Sequence, residues 1–174
     1  MRVLPLLMLV LGAAPAAAQE EYQSVVQEGP DGGPFRLGLY GFAARGGVDF
    51  EGEKQALVSV ALDLGDLYTD RLRLRPSGEL GFAAGANTYV ANVEVVYRFT
   101  ADTVIAVPYV AGGVGVFGRE ACDPDPDCPA VWAQFALGFE LKLRAQFNWL
   151  LEYHAEDAFR RHRLFLGLTT RRGS

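Results

Sequence analysis

The sequence predicts an all-β protein, an antiparallel up-and-down eight-stranded transmembrane β-barrel. Three observations lead to this fold class. Apolar and polar side chains alternate with a period of two from Phe35 almost to the C-terminus, as they do in strands with two different faces. The 20 glycines and the aromatic content of 11 % favour β-structure over a helical bundle. An export signal precedes the alternating region.

The N-terminus predicts this signal. Met1-Arg2 gives a positive start, residues 3–10 are apolar, and residues 12–18 are almost all small. This order is typical of a signal peptide, here residues 1–18, cleaved near Ala18. The apolar run is too short for a transmembrane anchor, which needs about 20 residues. Residues 19–34 are polar with several Gly and Pro, so they indicate a flexible N-terminal lead before an outer-membrane β-barrel domain at 35–171.

Eight segments of roughly ten residues have the length of tilted membrane-crossing strands. The predicted strands are 35–43, 55–64, 71–83, 89–99, 104–117, 133–143, 147–153 and 163–169. The connections at 46–54, 84–87, 118–129 and 155–160 include the two longest, which is typical of external loops. Those at 65–70, 100–102 and 144–145 are tighter and indicate periplasmic turns.

The two faces of the strands differ in chemistry. One is apolar without charge in its middle positions, which favours contact with lipid, and the other mixes both signs of charge with small residues. An eight-stranded barrel is only wide enough to be filled by side chains, so opposite charges should pair inside it. The charges expected in the lumen are Arg71, Arg73, Arg75, Glu79, Glu94, Arg98, Glu140, Lys142, Glu152 and Arg163.

Aromatic residues gather near the predicted strand ends. Tyr97 and Phe99 finish one strand, and Phe147 and Trp149 begin another. In the predicted topology all four lie at the periplasmic rim. An aromatic girdle is expected at that level, where ring side chains contact the membrane interface.

Several stretches carry a resemblance to a known family. Residues 108–115 (PYVAGGVG), Gly138-Phe139-Glu140-Leu141 and Leu151-Glu152-Tyr153 resemble the small outer-membrane barrels of the OmpA-type and OmpX-type superfamily, the outer membrane protein β-barrel domain. The likeness covers nearly all of the mature chain. It implies the barrel architecture and a place in the outer membrane, and it implies no specific activity.

Two cysteines stand close together in the longest connection. Cys122 and Cys128 flank residues 123–127 (DPDPD), and in an exported protein such a pair is expected to form a disulfide. Closing this loop should stabilise the fold by roughly 2–3 kcal/mol. The three aspartates could instead bind a divalent cation, although the alternating prolines restrict their convergence. We expect no metal and no cofactor.

Histidines and carboxylates occur together near the last predicted loop: His154, Glu156, Asp157 and His162. Outer-membrane lipid A deacylases, which are also eight-stranded barrels, use a late histidine with a nearby serine and a glutamate. Here Ala155-Glu156 follows His154 and the serine nucleophile is missing, so acyl transfer lacks its first step. We therefore interpret the cluster as a solvated rim, and we expect no enzymatic activity.

The leading functional hypothesis is a structural or interaction barrel with a filled lumen and outward loops. Its expected partners are outer-membrane lipid and, during biogenesis, periplasmic chaperones and the barrel-assembly machinery, and it should be a monomer. The net charge of −5 argues against a nucleic-acid partner. One alternative is a soluble periplasmic lipocalin-like carrier with the apolar face inward, and a third hypothesis is a lipid-modifying hydrolase.

Overall fold

A computed structural model describes residues 35–51, 54–82, 87–100, 105–120, 122, 128–143 and 147–170. The predicted signal peptide, the predicted lead and Arg171 lie outside these residues. The part of the chain that the structure describes consists of strands and their connections. It contains no helix long and apolar enough to cross a membrane.

Eight antiparallel strands form one closed barrel in which each strand pairs with its neighbours in sequence and the last pairs with the first. The predicted up-and-down eight-stranded fold is confirmed. The strands are β1 (Phe35–Asp49), β2 (Ala56–Leu67), β3 (Thr69–Phe82), β4 (Thr88–Arg98), β5 (Ala106–Arg119), β6 (Ala130–Lys142), β7 (Phe147–Glu156) and β8 (Arg161–Thr170).

Two of the predicted external loops begin later than expected. β1 continues through the glycines at 46 and 47, because Gly46 pairs with Val58 of β2 on one side and with Leu166 of β8 on the other. β7 likewise continues to Glu156, which pairs with Arg161. Backbone hydrogen bonds to both neighbouring strands stabilise this extension, although glycine has a low preference for strands. β1 and β7 therefore extend farther than the sequence suggests at the end of the barrel that is predicted to face outward.

The side chains alternate between the two faces of the wall, most regularly along β4. Along β4 every second residue is buried inside, including Asn92 and Glu94, while the residues between them are exposed on the outside. Val93, for example, is 50 % exposed and Val95 is 38 % exposed. The apolar side chains thus face outward, as a membrane barrel requires. A lipocalin-like carrier needs the opposite arrangement, so the structure contradicts that alternative.

The lumen is filled by side chains rather than open. Small residues allow the strands to curve around a few large ones, and the buried apolar cluster consists of Ala43, Ala61, Val96, Tyr109, Ala111, Ala136 and Leu150. Leu150 is 1 % exposed and Phe165 is 0 % exposed. These side chains fill much of the barrel interior.

The predicted disulfide between Cys122 and Cys128 is present, with the two Cα atoms 5.1 Å apart. It closes the connection between β5 and β6. Residues 123–127 lie outside the described residues, so the alternative of a cation bound by the three aspartates is not addressed by the structure.

Candidate functional site

The polar interior of the barrel is organised around Glu152, which points inward from β7 and is 0 % exposed. Its carboxylate accepts hydrogen bonds from the Arg45 guanidinium, from Arg75 Nη1 at 2.5 Å and from the Tyr109 hydroxyl at 2.5 Å. These donors come from β1, β3 and β5. One carboxylate therefore joins four strands through charge-assisted hydrogen bonds, which are the stronger kind.

Arg75 extends this layer to a second carboxylate. Its Nη2 atom donates to Glu94 Oε2 at 2.8 Å, and Gln134 Nε2 donates to Glu94 Oε1 at 3.0 Å. The Arg75 guanidinium also lies 5.5 Å from the centre of the Tyr109 ring. The two carboxylates and the two arginines thus neutralise one another inside the barrel. Such pairing is the condition under which buried charge is tolerated.

A second cluster lies closer to the end predicted to face outward and is built on Arg163, which is 0 % exposed. Its Nη1 atom is 2.8 Å from Glu79 Oε2 and 3.1 Å from Glu156 Oε2. Its Nε atom is 3.4 Å from Asp49 Oδ2. One guanidinium therefore serves three carboxylates from three different strands.

His154 connects the two clusters. Its Nε2 atom is 3.1 Å from Glu152 Oε2, and its Nδ1 atom is 3.1 Å from Gln134 Nε2. Because Gln134 Nε2 can only donate, Nδ1 must accept, which assigns the proton of a neutral imidazole to Nε2. His154 Nε2 then donates a hydrogen bond to the Glu152 carboxylate. The histidine is a fully bonded part of the interior.

The ligand atoms of Glu79, His154 and Glu156 lie within 4.8 Å of one another, close enough to hold a metal ion. However, the Arg163 guanidinium already contacts both glutamates. A cation bound there would have to displace or repel a buried positive charge, so the donor set does not fit a metal. The cluster is better described as an ion-pair network.

The end of the lumen where β4 ends and β7 begins, which is predicted to be the periplasmic end, has a different character. Arg98 Nη2 is 2.8 Å from Glu140 Oε2, and Arg73 Nη1 is 3.2 Å from Asp63 Oδ2. These pairs line a cavity of about 50 Å³ that also includes Lys142, which is room for a few water molecules. We call this region the periplasmic mouth. Its carboxylates are partly exposed, whereas that of Glu152 is not, although Arg75, which bonds Glu152, also lines this cavity.

The structure brings together eight of the ten charges expected in the lumen: Arg73, Arg75, Glu79, Glu94, Arg98, Glu140, Glu152 and Arg163. Arg71 and Lys142 lie on the expected face of their strands, but both residues are exposed. Arg71 precedes the β3–β4 ladder, which starts at Leu72, and Lys142 is the last residue of β6. Both lie beyond the sealed part of the barrel: Lys142 lines the cavity at the mouth, and for Arg71 the expected place in the lumen is corrected.

The interior also contains charged residues that the sequence pattern did not predict there. Arg45 and Asp49 are each 4 % exposed and lie on β1, where glycines suggested the start of a loop. The signal that would have found them is the alternation of Ala43, Arg45, Gly47 and Asp49, which continues the inward face of the strand across the glycines.

The predicted solvated rim is wrong for two of its four residues. His154 is 0 % exposed and Glu156 is 1 % exposed, because β7 extends beyond the predicted boundary and carries both inside the wall. Asp157 and His162 are partly exposed, at the β7–β8 connection and on β8. The four residues therefore do not form one cluster: the wall of the barrel separates His154 from His162.

All four residues of the predicted aromatic girdle lie on the outer surface. Tyr97, Phe99, Phe147 and Trp149 are between 39 % and 50 % exposed. The Tyr97 and Phe99 rings meet edge to face with their centres 5.3 Å apart. They lie at the end of the barrel where β4 ends and β7 begins, together with the mouth.

A closed antiparallel barrel of eight strands, apolar outside and ionic inside, defines the class of small transmembrane β-barrels of the outer-membrane type. Comparison with solved structures agrees with this class. The N-terminal β-barrel domain of Pseudomonas aeruginosa OprF is 14 % identical, with a TM-score of 0.56, over 76 % of this chain and 97 % of that chain.

Neisserial surface protein A (NspA) is 10 % identical, with a TM-score of 0.53, over 75 % of this chain and 94 % of that chain. At these identities the likeness shows the fold and nothing finer. No protein-family model and no curated protein matches the chain. The class of protein therefore rests on the barrel itself and on these structural neighbours.

Proposed function

We propose that the chain is a structural and interaction protein of the outer membrane, with a lumen closed by its own side chains and with little or no pore activity. The observation that carries this proposal is the layer around Glu152. Arginines from β1 and β3 and the phenol of Tyr109 converge on one carboxylate that is 0 % exposed. A conducting pore would need water where these groups lie.

The outward face supports lipid as the main partner. Large apolar side chains such as Val60, Val114 and Leu166 are more than half exposed, an arrangement that costs free energy in water and none in hydrocarbon. In this proposal, periplasmic chaperones and the barrel-assembly machinery deliver the exported chain to the outer membrane. The folded protein is a monomer there, and its outer connections are available for interaction.

The alternative of a lipid hydrolase that uses His154 has little support. The imidazole is sealed inside the wall and hydrogen-bonded to Glu152 and Gln134. A lipid ester cannot reach it without opening the barrel. We propose no enzymatic role for the lumen.

The lipid contact can be tested with a pair of arginine substitutions on the outer face. Val93→Arg introduces a charge in the middle of β4, and unfolding in lipid vesicles should show a loss of about 2–4 kcal/mol. Ile105→Arg is the control, because Ile105 is 74 % exposed in the β4–β5 connection and should lose only about 0–1 kcal/mol. Equal losses would contradict a lipid-facing β4.

The closed lumen can be tested by electrical recording. Purified protein that shows heat-modifiable migration, and is therefore folded, should give no large steady conductance in planar bilayers. The double variant Leu150→Ala/Tyr109→Ala removes two of the side chains that fill the middle, and it should raise the frequency of open events. A large steady conductance of the unmodified protein would overturn the proposal.

A further inference from the structure

The second histidine lies on the other side of the barrel wall from His154 and has its own partners. His162 of β8 and Tyr153 of β7 both belong to the outward-facing set. The Tyr153 hydroxyl is hydrogen-bonded to His162 Nδ1, and the two rings are stacked with their centres 5.8 Å apart. On the far side of the imidazole, Nε2 is 3.5 Å from Glu51 Oε2.

The Glu51 carboxylate beside Nε2 favours one arrangement of the protons. When the phenol donates to Nδ1, the imidazole carries its own proton on Nε2, which faces the Glu51 carboxylate. A hydroxyl, a base that can take its proton, and a carboxylate that orients the base are the parts of an activated nucleophile. The hydroxyl group of this site belongs to a tyrosine on the strand next to that of the histidine.

The group is accessible from outside the barrel. The His162 side chain is 28 % exposed and that of Glu51 is 61 % exposed. Around it on the outer face stand apolar side chains, Val48, Phe50 and Leu164, which are between 37 % and 50 % exposed. An acyl chain that contacts these side chains would bring its ester group close to the phenol. The surroundings therefore favour a lipid ester over a soluble one.

We propose that Tyr153, His162 and Glu51 form an acyl-transfer site for the carboxylic esters of lipids. This activity goes beyond the proposed structural function and uses none of the residues of the lumen. It also departs, at this one surface position, from the expectation of a chain without enzymatic activity.

The chemistry balances without any further reactant than water. The Tyr153 oxygen attacks the ester carbonyl carbon while His162 Nδ1 takes the phenolic proton. The ester C–O bond breaks, the departing alcohol oxygen takes the proton from the imidazolium, and the acyl group stays on Tyr153 as an aryl ester. Water, deprotonated by His162, then releases the fatty acid and restores the phenol. Glu51 is a positioning residue that holds the imidazole.

The test uses the full folded chain in detergent and the p-nitrophenyl ester of a medium-chain fatty acid. The expected result is a burst of p-nitrophenolate close to one equivalent per protein, with the acyl mass on the peptide that contains Tyr153. Tyr153→Phe should abolish the burst, and His162→Gln should slow it at least tenfold. Glu51→Gln should slow it severalfold at unchanged amplitude, and Glu51→Asp should recover part of the rate.

Tyr97→Phe is the matched control, because Tyr97 is also outward-facing and its ring contacts Phe99 rather than a histidine. Its burst should equal that of the unmodified protein. Every variant is first checked for heat-modifiable migration, so that loss of the burst cannot be due to misfolding. A burst that persists in Tyr153→Phe, or acylation spread equally over Tyr97 and Tyr153, would overturn the proposal.

Two further samples identify the source of the ester. Vesicles of phospholipid alone and vesicles containing lipopolysaccharide are incubated with the protein, and released fatty acid is measured. Release from either kind that is lost in Tyr153→Phe supports the site and names its substrate. Release from neither, at protein concentrations that give the p-nitrophenolate burst, would overturn lipid esters as the substrate class.

Discussion

The sealed middle of the lumen and the periplasmic mouth use the same residue types in different surroundings. Glu152 is 0 % exposed and bonds Arg45, Arg75 and Tyr109. Glu140 pairs with Arg98 beside a cavity, and its side chain is 15 % exposed. Water can therefore reach Glu140 more easily than Glu152, although Arg75 also lines the cavity at the mouth. The contribution of an ion pair to the stability of this barrel therefore depends on how deeply it is buried.

The sharpest test of this difference is to remove one carboxylate charge from each region. Glu152→Gln leaves two buried arginines without their shared counter-charge, and such a loss typically costs about 3–5 kcal/mol. Glu140→Gln leaves Arg98 close to water and should cost about 0–1 kcal/mol. Urea unfolding in lipid vesicles, followed by tryptophan fluorescence, measures both.

Salt provides a second comparison between these two variants. Added salt should reduce the small effect of Glu140→Gln, because ions screen charges that water reaches, and should leave the large effect of Glu152→Gln nearly unchanged. If the two variants lost the same free energy of unfolding, the middle of the lumen would not be sealed.

Close packing of the wall around the sealed layer gives the next effect in size. Gly113 of β5 lies beside Glu94, and a Cβ atom added there would stand 2.8 Å from the Glu94 Cα and even closer to the Val93 carbonyl oxygen. Backbone cannot move as easily as a side chain, so Gly113→Ala should cost about 1–3 kcal/mol.

Gly78→Ala is the matched control for this substitution, since a Cβ at Gly78 meets nothing within 4 Å. It should change the free energy of unfolding by less than about 0.5 kcal/mol. The same urea titration checks both alanines. A neutral Gly113→Ala would mean that the wall is looser at this level than the structure shows.

The sequence predicts the faces of the strands well because alternation is a local property. Each side chain points inward or outward according to its position along its own strand. This is why the strand order, the outward aromatic residues and most of the inward charges could be predicted without a structure. It also explains the main error, since glycines at 46 and 47 hide the continuation of β1 and with it Arg45 and Asp49.

The pairing of the charges could not be predicted in the same way. Arg45 and Glu152 are 107 residues apart, and Arg75 and Glu152 are 77 residues apart. Whether they meet depends on the register of every ladder between them, which sets the height of each residue in the barrel. The outward group of Glu51, Tyr153 and His162 was missed for a related reason, because Glu51 is about a hundred residues from the β7–β8 hairpin that carries the other two.

The boundary between the sealed middle of the lumen and the periplasmic mouth can be located by cysteine labelling, which should hardly affect stability. Lys142 is exposed at the mouth and Ala136 is 0 % exposed in the middle, both on β6. Lys142→Cys should react fully with a charged thiol reagent added to the folded protein, and Ala136→Cys should react only after unfolding, because water and ions reach the first site alone. Labelling is measured by mass spectrometry, with the native disulfide left oxidised. Equal labelling of the two cysteines would mean that the mouth continues into the middle, and the contrast between Glu140 and Glu152 would then need another explanation.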